Sequence, residues 1–413
     1  MDEEQARRIG ERLRSARRQR GMSLRHLAGL AGVSVGYLSM VENGHRLLDR
    51  SSHITAFAEA LQIAPSELTG QPFAPVDPHA SAAHEAIPAL RLTLMGITMT
   101  APPDRRPPQV PATVLAERVE QANRLYHAAE YGTLASGLPA LLADLHAAAE
   151  AADGAARHAL LKLLADAYHP ACTLLLKNLG YTDLAFIAVT RASEAITELD
   201  DPVYSALSGF FHTHVLMSAG SPAQALALAT AAANTLEAHL TTPDAHALLG
   251  ELHLISATSL TQDRQRPGNT SGAEVRSHLA EAANLAGRTG ETRAWHLNFG
   301  PTNVGIHQVS LNTDLGLHGE AVSAGGAVHP ETLEHAPGRQ AAFYADLGRS
   351  LSHLRGREAE AVAALLTAEQ IAPQRIYANA PVRNTVGFLT DRQLPAHTAR
   401  DLRGLAHRIG LPL

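Results

Sequence analysis

Beyond residue 111 one pattern recurs, a glycine placed to close a helix and, five residues later, an alanine placed to open the apolar face of the next: Gly180/Ala185, Gly220/Ala225, Gly316/Ala321 and Gly356/Ala361. Glycine reaches the left-handed backbone that ends a helix at little cost. The alanine then opens the apolar face of the next helix and is short enough to let paired helices approach closely. A weaker copy, without the glycine, is centred on Val275. Successive alanine-position spacings of 40, 50, 46 and 40 residues indicate a repeated helix pair, too irregular for an ideal array. Composition agrees, since only 4% of residues are aromatic and alanine and leucine dominate, which favours helices packed through small and straight-chain side chains. An all-α chain is predicted, and at 413 residues it is long enough for two or three domains.

This pattern resembles degenerate tetratricopeptide repeats, which in regular form recur every ~34 residues; Ala195 and Asp201-Pro202 extend the likeness in one copy. The resemblance implies an α-solenoid of stacked helix pairs with a concave inner surface that takes a peptide or a small partner. Aligned on their glycines, the repeats put Lys177, His214, Asn303, Asp346 and His353 near that surface. Two stretches interrupt the pattern. Residues 262–272 read as an inserted loop. Trp295 to Val304 holds the only tryptophan, with Pro301 placed to start a helix, and reads as a cap between repeats rather than a ligand wall.

The amino-terminal part follows different rules. Ser23 can cap a short helix whose Leu24, Leu27, Ala28 and Ala31 share one apolar face. Gly32 ends it, Ser34 can cap a second helix with Leu38 and Val41 inward, and Asn43-Gly44 stops that one. Two helices crossing at a glycine turn can place the second in the DNA major groove. Here the chain resembles the phage repressor and Cro-type, or xenobiotic-response-element, helix-turn-helix family. The likeness spans about residues 5 to 70 and rests on Ile9 to Arg14, Arg17, Gly21, Leu27-Ala28, Val33-Ser34, Tyr37-Leu38-Ser39, Glu42-Asn43-Gly44 and Phe57 to Leu61 before Pro65. It implies a small five-helix domain, a first helix over about 3–20 with Ile9, Leu13 and Ala16 inward and Arg7, Arg8, Arg14 and Arg18 outward, and an ion pair from Arg17 to Glu42. It also assigns DNA contacts to Arg25, Ser34, Val35, Gly36, Tyr37, Ser39, Met40, Asn43 and Arg46. Val35, Gly36 and Met40 stand where the family commonly presents amides or guanidiniums, and Leu24 replaces its phosphate-contacting glutamine. Apolar side chains touch thymine methyls but do not make the bidentate base pairs worth roughly 1–3 kcal/mol each, so Ser34, Ser39, Arg46 and DNA shape are expected to carry specificity.

Three regions follow: a helix-turn-helix domain over 1–70, a linker over 71–111 with one helix near 80–96 and a proline-dense stretch from Ala101 to Pro111, and a helical sensor and dimerisation domain over 112–413. Net charge is −6, yet residues 1–70 carry ten arginines against eight acids, so the positive charge collects in the first region. The single cysteine, Cys172, excludes an internal disulfide and points to a reducing compartment. The start carries no signal-peptide pattern and no apolar run reaches ~18 residues, so a cytoplasmic, nucleoid-associated protein without a membrane span is expected. The 23 histidines are scattered without metal-ligand spacing, and no phosphate loop, dinucleotide fingerprint or nucleophile elbow occurs. Neither catalysis nor a cofactor nor a metal is predicted.

The whole reads as a bacterial transcription regulator that binds a double-stranded DNA operator, works as a homodimer and answers to an effector peptide or small molecule. The layout resembles peptide-responsive tetratricopeptide-repeat regulators of Gram-positive bacteria, which implies quorum sensing. The alternative is a protein-interaction scaffold with a weak DNA-binding head.

Overall fold

The computed structural model describes residues 4–72, 78–96, 110–263 and 271–411. Residues 73–77, the proline-dense stretch to Gln109, most of the expected 262–272 loop and the side chains of Arg7 and Arg8 lie outside the described residues. Everything regular among the described residues is helical; the one β-bridge pairs Thr292 with Phe299.

Five helices build the head: α1 (Glu4–Gln19), α2 (Leu24–Leu30), α3 (Val35–Glu42), α4 (Ser51–Leu61) and α5 (Pro65–Thr69). Their core is its own, with Leu13, Leu27, Leu38, Phe57, Leu61 and Leu68 all fully enclosed. Burying one such leucine contributes about 1.5–3 kcal/mol. The expected caps are made. The Ser23 hydroxyl accepts from His26 N and that of Ser34 from Tyr37 N, both at 3.1 Å, and Gly32 takes the left-handed turn between them at φ +63°.

A sixth helix, α6 (Pro78–Gly96), lies where a linker helix is expected, but it buries Ala83, Ile87, Leu90 and Leu94 in the second core. That core runs on to Leu411. Helix pairs stack along it: Pro202–Ser218 with Pro222–Glu237, Pro243–Gln262 with Ser271–Thr289, Pro301–Leu315 with His318–Gly325, and Pro337–Ser352 with Glu358–Ile371. Two smaller apolar clusters lie beside it. The four glycines that mark the pattern all sit in left-handed turns, at φ +77° to +91°. The partner residues Ala185, Ala225, Ala321 and Ala361 are wholly enclosed, and Val275 is 2% exposed. The short side chain at each position is therefore the contact that sets how closely one helix lies on the next. The result is a helical solenoid.

The coil turns back on itself. Gly132 N donates to Gln374 Oε1 at 3.0 Å and an Arg375 guanidinium nitrogen to Tyr131 OH at 3.4 Å, so the first helices of the array meet the last. The first and last helices thereby ring a central space that stays open to solvent. One stretch, Gly154–Leu179, has the length and hydropathy of a membrane span, but 78% of its window is buried inside the array, as befits a core helix. It widens into a π-helical turn over Ala167–Leu174, where Pro170 supplies no N–H to the ladder.

Candidate DNA-binding face and central cavity

Helix α3 is held from behind. Arg17, on α1, makes a bidentate pair with Glu42 at 2.6 and 2.7 Å and donates to Met22 O at 2.9 Å. Both side chains are nearly buried, and the pair fixes the tilt of α3 on α1. The carboxylate in turn holds the Arg17 guanidinium above its ordinary pKa, through the hydrogen bond first, with burial opposing. The opposite side of α3 is open. Ser34, Val35, Gly36 and Met40 are exposed, as are Arg25 on α2 and Asn43 and Arg46 beyond the helix.

Several of these residues already have local work. Ser34 caps α3, and Asn43 closes it by donating its amide to Ser39 O at 2.8 Å while its carbonyl accepts from Arg14. Tyr37 is half-buried, and its hydroxyl meets His53 Nδ1 at 2.8 Å. Arg46 lies over the Tyr37 ring at 5.1 Å from its centre, which holds a guanidinium at the edge of the open face. Val35 and Met40, 42% and 40% exposed, make the middle of that face apolar.

The array grips the loop between α3 and α4, just ahead of α4. Asp49, 2% exposed, accepts from an Arg349 guanidinium nitrogen through its carbonyl and from His353 Nε2 through its carboxylate, both at 2.7 Å. Arg349 is itself held by Asp346 at 2.7 Å and Asp314 at 3.0 Å. His318 stacks on His353 with ring centres 4.1 Å apart. Burial alone would raise the Asp49 pKa, but the His353 hydrogen bond and the charges of His353, Arg349 and His318 outweigh it and bring it down to about 2. Beside this cluster Asn384 Nδ2 donates to Leu48 O at 3.2 Å. The Arg50 guanidinium lies over Gly316, where any Cβ would collide with it. Asp346 and His353, expected at a ligand surface, thus belong to the clamp on the head.

Lys177, His214 and Asn303, the other expected ligand residues, do meet, at the centre of the ring. Two adjoining chambers lie there. The outer, of about 380 Å³, is walled by the array and by Thr55, Pro65 and Thr69 of the head. The inner, of about 170 Å³, reaches Tyr126, Glu251 and Asn303. Lys177, Asn178, His214, His307, Arg339 and Arg375 border both. Asn303 bridges Glu251 and Arg339, donating to the first at 2.9 Å and accepting from the second at 2.7 Å. Burial raises the Glu251 carboxyl to about 7 and lowers Lys177 to about 8, the latter helped by Arg375 and Arg339. His214 and His307 are pushed well below the usual histidine range by burial and by these neighbouring cations. Glu251, His307, Arg339 and Arg375 escape sequence reasoning because they lie far apart along the chain and share no spacing. Only ring closure brings them together. Trp295 stays outside the chambers, donating its indole N–H to Asp244 O at 3.2 Å and packing edge-on to Tyr204, as a cap between repeats would.

Residues 8–69 match the family model described as a helix-turn-helix domain, so the head is a DNA-binding domain of that kind. No curated protein and no solved structure matches the chain.

Proposed function

We propose that the protein is a sequence-specific transcription regulator whose tetratricopeptide-like array senses an effector and sets the position of its DNA-binding head. The observation that carries this reading is the clamp at Leu48, Asp49 and Arg50: the array holds the end of the loop from α3 to α4 while leaving the outer face of α3 open. The outer chamber has walls from both bodies, so an occupant touches head and array together. Such a ligand shifts the head by its difference in affinity for the docked and undocked arrangements. The chamber sizes favour a small molecule, or the end of a peptide, over an extended peptide. The contacts to DNA are Arg25, Ser34, Val35, Gly36, Tyr37, Ser39, Met40, Asn43 and Arg46. A homodimer would set two such faces against half-sites ~34–36 Å apart, about one turn of the duplex. The compartment is the cytoplasm, at the nucleoid.

Selection of duplexes from a random pool by the full chain tests the reading. Enrichment of one sequence, paired about a dyad and lost in Arg46→Ala, is expected; recovery of unenriched pools overturns it. A second reading has its own observation in the exposed Val35 and Met40, which suit a partner protein better than base edges. A stable partner retained by α3, without an operator, would favour that scaffold.

A further inference from the structure

The central chambers have an unbalanced charge. Lys177, Arg339 and Arg375 border both, and among the described residues Glu251 is the one carboxylate on the inner wall and the outer wall has none. No carboxylate among the described residues pairs with Lys177, whose charged surroundings are Arg339 and Arg375. One terminal nitrogen of Arg339 is buried without a hydrogen-bond partner, although its Nε is bound to Asn303. Among the described residues, Arg375 donates to tyrosine hydroxyls, at Tyr131 and Tyr126.

Withdrawing a cation from water costs several kcal/mol unless an opposite charge and hydrogen bonds meet it. Against these three cations stand Glu251 on the inner wall and, near Arg339, Asp346, which is already shared with Arg349, so positive charge is left in excess. The array supplies each from a different helix: Lys177 from Leu175–Leu179, Arg339 from Pro337–Ser352 and Arg375 from Pro373–Tyr377. His214 and His307 come from helices between them and are held neutral beside the cations, each offering one ring N–H and adding no charge.

We infer that these chambers are the binding site for a compact anion of about two negative charges, borne on carboxylate or phosphate groups and taken by Lys177, Arg339 and Arg375. This rests on the sensing role proposed above and gives its ligand a chemical class. A dianion there removes the repulsion among the three cations and occupies the orphaned Arg339 nitrogen. Through the outer chamber it reaches Thr55 and Thr69 of the head.

The test uses the full chain without DNA. Pyrophosphate and tricarballylate are titrated calorimetrically in a low-salt zwitterionic buffer, and thermal unfolding is followed with and without each; the two separate a phosphate ligand from a carboxylate one. One-to-one binding of at least one anion is expected, weakened at least tenfold in Lys177→Met and in Arg339→Met. Lys162→Met, on the exposed surface and outside the chambers, should bind as the parent does. Lys177→Met should also unfold at a higher temperature than the parent in anion-free buffer, since it removes one of three repelling charges, and a folded Lys177→Gln should repeat that result. Failure of both anions to bind, or equal binding by the parent and Lys177→Met, which would place the anion on the basic head, overturns the inference. Loss of the anion site with operator selection intact sinks only this inference. An anion site without operator selection sinks only the regulator.

Discussion

Replacing Asp49 by asparagine tests the clamp that joins head to array. Asparagine imitates the neutral carboxyl, so the substitution removes the interaction of the charge and keeps most of the shape. That interaction is read from the depression of the carboxyl from 3.8 to about 2. At about 1.4 kcal/mol per pKa unit it amounts to about 2 kcal/mol favouring the folded, docked arrangement. The depressed pKa also gives the direction with pH: the advantage of the parent over Asp49→Asn is complete above about 4 and disappears as pH falls through 2. Denaturant unfolding of both proteins between pH 7 and 2 measures it. The same substitution in a His353→Phe background separates the partner from the rest of the surroundings. If the His353 contact at 2.7 Å carries a large share, the cost there falls to about half. An equal cost in both backgrounds, or a cost at pH 7 below about 0.5 kcal/mol, would refute the reasoning, because the charge would then not be held by the array.

Other consequences follow from the same geometry. Arg17→Ala removes the bidentate partner of buried Glu42 and leaves it only the longer contact to Arg14 at 3.5 Å, so the head should be destabilised by up to about 3 kcal/mol, seen as early loss of its helical signal on heating. Arg46→Ala should leave unfolding unchanged while weakening operator binding and lowering the salt dependence of binding by about one ion, measured by titration at several salt concentrations. Glu251 has its pKa raised from 4.5 to about 7 in the folded state, so stability is greatest below 4.5 and falls as pH rises to 7, by up to about 3 kcal/mol. Glu251→Gln should flatten that slope in denaturant unfolding between pH 4.5 and 7.5; an unchanged slope would show that Arg339 and Asn303 offset the burial.

The all-helical fold, the head and the repeat were legible from residues near one another in the chain. Ser23 and Ser34 cap the helices their positions imply, Gly180, Gly220, Gly316 and Gly356 turn left-handed, and the alanines five residues on are buried. Capping, turning and helix packing depend on spacings of three to five residues, which a sequence displays directly. The Arg17 to Glu42 pair was also foreseen, through the family likeness rather than through any spacing.

What lies between the helices was decided elsewhere. The linker helix α6 joined the second core because its apolar face found the helix Tyr131–Ala151. His353 and Asp346 left the ligand surface for a clamp on Asp49, while Arg339, Arg375 and Glu251 entered a cavity that nothing in their positions along the chain suggests. Local pattern prescribes each helix and the face it buries, since those energies are set by neighbours a turn away. How many pairs it takes to bring Gln374 back to Gly132, and so which polar side chains end up facing one another across the centre, accumulates from small rotations at every packing contact and exists only in the assembled coil.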